Sequence, residues 1–567
     1  MMKHRWVFLI VVLQVALMSI AVAQQAPFDT VIRGGRLLDG TGAPWIRADI
    51  AIRGDRIAAI GGLDGVAARR TIDARNRIVA PGFIDMHSHS DFTLLVDGHA
   101  QSKIRQGVTT EVIGETESAG PVLGSAVEVR KNALAPLGLQ LDWQDFAGYF
   151  SRLEKQGISV NVLSFVGAGQ LRTAVVGLEN RPPSTAEVER MKTLLREAMA
   201  QGAFGLSSGL IYPPNSYMTI DELVELARVA GQGGGIYVSH LRDEGAGLVK
   251  AVQEAITIGE RAGLPAEIFH FKAVGSMRGR ILEAVRLIED ARSRGIEVAA
   301  NQYPYVASST GLAARGIPPW VQEGGRQKMI ERLKDPKVRE RIRAEMASGL
   351  PGWESINDLG GFENIRVSRV RTERNKKYEG QSVAAIAKDR GTAPEDTLMD
   401  LLVEEEGNVS AVYFIMTEED VTEAMKLPWV SIGSDGTAVR PDGVLGHGRP
   451  HPRWYGTFPR VLGKYVREEK VLTLEEAIRK MTSLPAAQLR LADRGLLKVG
   501  MAADVVVFDP ARVTDQATFE DPHRYAEGID IVIVNGEVVV DEGRHTGATS
   551  GRVLRGPGYK DPALASR

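Results

Sequence analysis

The pattern of apolar and polar positions changes twice along this chain and divides it into three regions. Across residues 28–77, short apolar runs alternate with glycine-containing turns, which is typical of antiparallel strands. The same texture returns near the end, where residues 531–534 and 537–540 flank an Asn-Gly hairpin turn. We therefore predict one small β-sandwich formed by both chain ends, residues 24–78 and 489–567. Two separate small β domains are the alternative.

Between these ends, nearly continuous apolar runs alternate with helical segments. Near-continuous apolar strands separated by helices are typical of a parallel sheet covered on its outer face. The pattern predicts an α/β fold, a (β/α)8 TIM-like barrel over residues 79–488, with its active site at the carboxyl ends of the strands. The eight strand candidates lie at 84–85, 112–114, 162–166, 204–207, 236–239, 267–269, 298–300 and 430–433.

Two further patterns refine this barrel. Capping boxes mark helix starts at Ser184, Thr219 and Thr473, each with a glutamate three residues later. The interval between the last two strand candidates is too long for an ordinary loop. We predict an inserted subdomain at about 317–427, helical in texture, that lies over the barrel mouth as a lid.

The N-terminus resembles a targeting segment. Lys3 and Arg5 give a basic start, an apolar run follows, and Ala21-Val22-Ala23 has the small residues of a cleavage site. Residues 1–23 are therefore predicted to be a signal peptide and the protein to be exported to the periplasm. An uncleaved membrane anchor is the alternative, although the run is short for a span of about 20 residues.

Charge and cysteine content narrow the chemistry. The net charge of −2 argues against nucleic acid as a partner, and no stable membrane association is expected after signal cleavage. The chain has no cysteine, which excludes disulfides, thiolate metal ligands and thiol nucleophiles. We expect a small-molecule substrate; the oligomeric state is not specified by the sequence.

Histidines gather at one end of the predicted barrel. His87 and His89 follow the first strand candidate, and residues two apart on a strand face the same way. His240 and His270 follow the fifth and sixth candidates, and Asp435 follows the eighth. A chance pair of histidines in a loop explains the first two, but it does not explain four histidines and an aspartate in this arrangement. Neutral imidazoles and carboxylates are metal ligands, so the pattern predicts a metal site.

This order resembles that of the amidohydrolase superfamily, and the later motifs resemble those of its N-acyl-D-amino-acid deacylase (D-aminoacylase) family. His-x-His alone would indicate only the superfamily. The motifs that carry the finer resemblance lie at 106–110, 205–212, 239–242, 303–309, 449–453 and 456–460.

The resemblance implies a role for each site residue. His240 and His270 would hold a tightly bound Zn²⁺, and His87 and His89 would face a second, weaker position. Asp435 would be the general base.

Substrate-binding roles are implied in the same way. Tyr212 would donate a hydrogen bond to the oxyanion, with a stacking role beside Pro213 and Pro214 as the alternative. Arg453, Tyr303 and Ser309 would hold the substrate carboxylate, with a solvated surface arginine as the alternative for Arg453.

One departure from the family pattern concerns the second strand. Family members commonly carry a cysteine ligand just after this strand, whereas this chain has Glu115 and Glu117 there. A carboxylate is a competent zinc ligand, so Glu115 is the predicted replacement, with Glu117 as the alternative. One ion, two ions or another divalent metal remain open, because a carboxylate is a harder ligand.

The predicted metal site and the resemblance together imply a hydrolase acting on linear amide C–N bonds of N-acyl-D-amino acids. The preference for D over L follows from the resemblance only. One alternative is another amidohydrolase acting on cyclic amides or dipeptides. A remote alternative is a non-catalytic binding protein on a decayed hydrolase barrel.

Overall fold

The computed structural model describes residues 27–350, 352–354, 356 and 359–561. The predicted signal peptide, 1–23, lies outside the described residues. Across the described part of the chain, no helix is both long and apolar enough to cross a membrane.

Both ends of the described chain join one sheet, here called the outer sheet. It has nine strands. The structure thus confirms the prediction that both chain ends build one β domain, and it does not show the alternative of two separate domains. Its strands are Phe28–Leu37, Ile46–Arg53, Arg56–Gly61, Ala68–Asp73, Ile78–Pro81, Val505–Phe508, Ile529–Val534, Glu537–Asp541 and Arg544–His545.

The two ends meet where Ile78–Pro81 pairs antiparallel with Val505–Phe508. Every residue of these two strands is buried. Val79, Val505 and Val507 face the core of the outer sheet, whereas alternate residues pack toward the barrel. One face of this strand pair therefore belongs to the core of the outer sheet, and the other face packs the sheet against the barrel.

The barrel is confirmed, with all eight predicted strands present and the third divided in two. Three parallel strands form one sheet and six form another. Isolated bridging between Ser88 and Gly436 joins the first strand to the eighth and closes the barrel. The strands are Phe83–Asp85, Val108–Ile113, Asn161–Ser164, Val166–Gly167, Gly205–Gly209, Ile236–His240, Ala266–Ile268, Val298–Gln302 and Val430–Ile432.

Helices cover the barrel and present apolar stripes to it. The helix Leu248–Ala262, for example, buries residues at positions three and four apart, the spacing of one helical face. The α-helices outside the insertion are Thr93–Val96, Gln101–Ile104, Ala126–Leu134, Phe146–Gln156, Ala168–Val175, Thr185–Ala200, Ile220–Gln232, Leu248–Ala262, Ile281–Ser293, Glu418–Lys426, Arg453–Arg460, Leu474–Met481 and Ser483–Gln488, with a π-helix at Val461–Glu468. Short 3₁₀ turns are Ala135–Leu137, Asn215–Tyr217, Gly275–Met277, Pro319–Gln322, Phe362–Asn364, Glu373–Tyr378 and Gly443–Gly446.

Two of the three predicted capping boxes form completely. The side chains of Ser184 and Thr219 each accept a hydrogen bond from the backbone N–H of the glutamate three residues later. The side chain of that glutamate accepts a hydrogen bond from the backbone N–H of the serine or threonine. Thr473 also accepts from the Glu476 backbone, but the Glu476 side chain binds Arg479 instead.

The inserted subdomain has its own sheet and core. An antiparallel three-stranded sheet places Ser410–Tyr413 between Ser308–Gly311 and Ile365–Arg369. This sheet begins upstream of residue 317, and it adds β structure to a region whose sequence is helical in texture. Its pairing joins segments far apart in the chain, which local patterns do not reveal. The accompanying helices are Leu312–Gly316, Arg326–Leu333, Pro336–Ser348, Val383–Arg390 and Pro394–Glu404.

A buried acid inside the barrel gives the fold a pH dependence. Glu267 is 2% exposed, and its Oε1 accepts a hydrogen bond of 2.8 Å from Asn301 Nδ2. Burial raises the pKa of Glu267 to about 8, although the bond from Asn301 lowers it in part. Between the ordinary pKa of about 4.5 and 8, the folded protein keeps a proton that the unfolded chain has lost. Stability therefore falls as pH rises through this window.

Glu267→Gln should remove this dependence. From pH 5 to pH 8, the free energy of unfolding of the wild type should fall by about a few kcal/mol more than that of the variant. Urea unfolding at both pH values measures the difference, with the exposed Glu297→Gln as the matched control. A variant that kept the wild-type slope would contradict the assignment to Glu267.

Candidate metal centre

Six side chains at the carboxyl ends of the barrel strands lie close together. They are His87, His89, Glu115, His240, His270 and Asp435. His270 and Asp435 adopt left-handed backbone conformations, with φ of 36° and 48°. Such conformations are uncommon outside glycine and are retained where the surroundings fix a side chain for function. The strand ends thus bend to turn these side chains inward.

The Glu115 carboxylate lies at the centre of the cluster. Its Oε2 atom is 2.5 Å from His87 Nε2 and 3.3 Å from His89 Nε2. Its Oε1 atom is 3.2 Å from His240 Nδ1. Among the described residues, Glu117 joins no such donor group, although it also lines the cavity. Of the two alternatives, the structure brings Glu115 together with the histidines.

The donor set fits a divalent cation. The donor atoms form two groups in which all atoms lie within 4.8 Å of one another. His240 Nδ1 and His270 Nε2 face each other at 2.8 Å, so two ring nitrogens point at a common centre. Nitrogen and carboxylate oxygen are the ligands that zinc takes in the absence of cysteine. The residues present therefore suit a metal ion.

The histidine rings are held in place from behind. His87 stacks on Phe269 with ring centroids 4.0 Å apart. His270 Nδ1 lies 2.7 Å from Lys272 Nζ and 3.1 Å from Glu244 Oε1. Burial lowers the pKa of His270 to about 3, with the nearby Lys272 charge adding to the effect. The ring is therefore neutral, the form that binds metals.

Asp435 connects this cluster to a buried arginine. Asp435 Oδ1 is 3.0 Å from His89 Nε2, and Oδ2 is 3.0 Å from Arg453 Nη2. The Arg453 side chain is 3% exposed, which excludes the alternative of a solvated surface arginine. Its guanidinium lies 4.5 Å from the centre of the Tyr303 ring and donates to the Ser309 carbonyl oxygen. The three predicted carboxylate-binding residues are thus neighbours.

Tyr212 lies beside His240. Its ring meets the His240 ring edge-on at 5.1 Å, and its hydroxyl is 3.1 Å from Thr310 Oγ1 of the inserted subdomain. Burial raises the pKa of Tyr212, so the hydroxyl keeps its proton at neutral pH.

A cavity of about 610 Å³ opens onto these side chains. That volume is in the range of small-molecule sites. The inserted subdomain forms part of its wall through Ser309, Thr310, Arg369 and Ser410. The subdomain therefore shapes the site, as a lid over the barrel mouth would.

Lys272 is a site residue that the sequence reasoning missed. It lines the cavity, and its Nζ is 2.5 Å from Glu244 Oε1. Glu244 Oε2 in turn accepts from Arg315 Nη2 at 2.6 Å, and Arg315 pairs with Glu354. Lys272 lies two residues after His270. Residues two apart in an extended chain face the same way, as argued for His87 and His89, and this spacing could have indicated Lys272 from the sequence.

Lys103 is a second missed residue, and it joins the first strand to the eighth. Its buried Nζ is 2.6 Å from both Asp85 Oδ2 and Ser434 Oγ. Asp85 Oδ1 accepts from the backbone of Ser434 at 2.7 Å and of His87 at 3.3 Å. This network fixes the chain on which His87 and Asp435 are carried.

Lys103→Met should destabilise the protein by about 3–5 kcal/mol, because it leaves the buried Asp85 without its cation. Denaturant unfolding at neutral pH measures the loss. The exposed Lys328→Met is the control and should change stability by less than about 0.5 kcal/mol. Equal stability of both variants would show that the network does not support the strand ends.

Comparisons with known proteins agree with this architecture. Residues 70–540 match the family described as "Amidohydrolase family". A D-aminoacylase of Alcaligenes xylosoxydans xylosoxydans is 39% identical over 93% of this chain and 98% of its own. The crystal structure of the N-acyl-D-glutamate deacylase of Bordetella bronchiseptica, with zinc and a phosphonate inhibitor, is 35% identical, with a TM-score of 0.78 over 94% of this chain and 100% of that one. A D-aminoacylase studied for the role of its binuclear metal centre gives 36% identity and a TM-score of 0.77, covering 93% of this chain and 100% of that one. The chain belongs to the amidohydrolase family, within its N-acyl-D-amino-acid deacylase branch.

Proposed function

We propose that this protein is a metal-dependent hydrolase that cleaves the amide bond of N-acyl-D-amino acids to a carboxylate and a free D-amino acid. Asp435 carries the proposal, because its carboxylate joins the metal-donor cluster to a buried guanidinium. That arrangement suits hydrolysis of an amide beside a substrate carboxylate. The D-aminoacylase and the D-glutamate deacylase among the similar proteins support the substrate class.

The cluster of histidines with Glu115 would hold Zn²⁺ or another divalent ion. When bound, such an ion polarises an amide carbonyl and lowers the pKa of water toward about 7. The zinc in the D-glutamate deacylase structure supports the choice of metal.

Asp435 acts as the general base. Burial opposes its ionisation, but Arg453 and the neighbouring histidines outweigh burial and hold the pKa of this carboxyl below its usual range. The ionised carboxylate accepts a proton from water as the water oxygen bonds to the amide carbon. It then gives this proton to the amine nitrogen as the C–N bond breaks.

Arg453 positions the substrate by its carboxylate. Its Nε and Nη1 atoms are buried and have no hydrogen-bond partner within the described residues. Buried donors without partners are costly, so a ligand that supplies acceptors is favoured there. A carboxylate accepts hydrogen bonds from a guanidinium in pairs. The Tyr303 ring lies 4.5 Å from this guanidinium and Ser309 lines the cavity, whereas the Tyr303 hydroxyl contacts Met416 and the Ser309 hydroxyl donates to the Ala411 carbonyl oxygen.

Tyr212 stabilises the charge that develops on the carbonyl oxygen. Its protonated hydroxyl lines the cavity beside His240 and now binds Thr310. A donor held by the surrounding structure requires little rearrangement as the reaction proceeds.

Metal analysis combined with a substrate panel tests the proposal. The purified protein should contain a divalent metal and hydrolyse N-acetyl-D-methionine or N-acetyl-D-glutamate, with the L-isomers cleaved at least ten-fold more slowly. Faster cleavage of a hydantoin than of any N-acyl amino acid would favour a cyclic-amide hydrolase. Metal-loaded protein without activity on either class would favour a binding protein.

We also propose that the protein is exported, on the basis of the basic start, apolar run and small-residue site within residues 1–23. Expression of the full chain with analysis of the mature N-terminus tests this. We expect a chain that begins at Gln24 in the periplasmic fraction; an intact N-terminus in the cytoplasmic fraction would contradict it.

A further inference from the structure

Glu244 is a buried carboxylate that the proposed mechanism does not use. Its side chain is 1% exposed, and each of its oxygen atoms binds a cation. Oε1 accepts from Lys272 Nζ at 2.5 Å, and Oε2 accepts from Arg315 Nη2 at 2.6 Å. Lys272 follows the sixth barrel strand, whereas Arg315 lies in the helix Leu312–Gly316 of the inserted subdomain. Glu244 therefore joins the barrel to this subdomain at the wall of the cavity.

A second buried carboxylate completes a balance of charge. Glu354 pairs with Arg315, and its Oε1 accepts a hydrogen bond of 2.6 Å from the Glu244 backbone N–H. Each of the four side chains is buried, and Glu354 is the most exposed at 8%. This group, here called the inner wall, consists of Glu244, Lys272, Arg315 and Glu354. Its two cations and two carboxylates leave no net charge.

The inner wall lies beside the residues proposed to hold the substrate carboxylate. Lys272 Nζ is 5.8 Å from the centre of the Tyr303 ring, and the Arg453 guanidinium is 4.5 Å from the centre of the same ring. Lys272 and Arg315 line the cavity together with Arg453. A substrate side chain leaves the carbon next to the carboxylate, so a wall beside Arg453 is within its reach.

The balance of charge in the inner wall disfavours an acidic substrate side chain. An ionised carboxylate that enters the cavity loses water, and a buried charge is stable only with a partner of opposite sign. Lys272 and Arg315 are already paired with Glu244, so they offer a further carboxylate little net attraction. An uncharged side chain has no such desolvation cost.

We infer that Glu244 determines side-chain specificity, because it neutralises Lys272 and Arg315 and so makes the cavity prefer N-acyl-D-amino acids with uncharged side chains over those with acidic ones. This inference rests on the proposed function and adds the class of side chain and the residue that selects it. Glu244 acts through the two cations and is a positioning residue.

N-acetyl-D-glutamine and N-acetyl-D-glutamate test the inference, because they have nearly the same shape and differ in charge. The wild type should cleave the glutamine derivative with a kcat/KM about ten-fold higher or more. Glu244→Gln leaves one positive charge of the inner wall unbalanced, so it should lower this ratio by about ten-fold or more. The dissociation constants of free D-glutamine and D-glutamate, measured by calorimetry, should change in the same direction. This second readout requires no hydrolysis.

Three further variants separate the effect of charge from damage to the structure. Glu244→Asp keeps the charge and should keep the wild-type ratio even where kcat falls. Glu354→Gln removes the other carboxylate of the inner wall and should shift the ratio toward glutamate, even if Glu244→Gln fails to fold. The matched control Glu117→Gln changes an exposed carboxylate that lines the cavity. It should alter the ratio by less than about three-fold, because water and salt screen an exposed charge.

A wild type that prefers the glutamate derivative overturns the inference, because a cation outside the inner wall, such as the half-buried Arg369, would then bind the side chain. A folded Glu244→Gln variant with the wild-type ratio overturns it as well. Discrimination between free D-glutamine and D-glutamate without any deacylase activity would contradict the proposed function alone.

Discussion

Replacing Asp435 by Asn should lower kcat for N-acetyl-D-amino acids by two to four orders of magnitude, the range for loss of a general base. The amide has nearly the size of the carboxylate and can still accept from Arg453 Nη2, which lies 3.0 Å from Oδ2. It cannot accept a proton from water at neutral pH. Steady-state kinetics with the metal-saturated variant measure the loss, which should appear in kcat more than in KM.

Two controls separate this loss from damage to the site. Metal content of the Asp435→Asn variant shows whether the donor cluster still binds metal. Glu117→Gln changes another carboxylate on the cavity wall and should alter kcat by less than about three-fold, as expected for a residue outside the proposed chemistry. A metal-loaded Asp435→Asn variant with wild-type kcat would remove Asp435 from the mechanism.

Arg453→Ala should lower kcat/KM for N-acyl amino acids by roughly 100-fold or more, mainly through KM. A hydrogen-bonded charge is worth about 1.5–3 kcal/mol, and loss of a buried partner costs more. Arg453→Lys should recover little, because an ammonium group lacks the planar fork of donors. Kinetics with increasing N-acetyl-D-methionine measure the change.

A substrate without a carboxylate is the matched comparison for Arg453. The corresponding N-acetylated amine should be a poor substrate of the wild type, and its kcat/KM should fall much less in Arg453→Ala. An unchanged KM for N-acetyl-D-methionine would remove the substrate assignment. Equal losses with both substrates would mean that Arg453 acts through Asp435 rather than through the substrate.

The sequence predicted the barrel and the convergence of its histidines because both follow from local patterns. Strand periodicity placed His87 and His89 on one side, and the common carboxyl edge of parallel strands placed His240, His270 and Asp435 beside them. The outer sheet followed from its turns. Each of these signals lies within a short stretch of the chain, although the contacts that it predicts join distant residues.

The remaining features depend on tertiary pairing that no local pattern contains. The choice between Glu115 and Glu117 is set by the turn after the second strand, where Thr116 has a φ of 57°. The network of Lys103 with Asp85 and Ser434 joins residues more than 300 positions apart. Such contacts are fixed by barrel closure, so the sequence alone did not show them.

The meeting of the chain ends in the outer sheet has a consequence for the order of synthesis. Ile78–Pro81, which leads directly to the first barrel strand, pairs with Val505–Phe508. All residues of the metal centre are therefore synthesised well before Val505–Phe508, the strand that pairs with the segment leading to His87. We expect the nascent chain to lack a formed metal centre until translation is nearly finished, so that a chain interrupted before Val505 carries all six donor residues but does not assemble them.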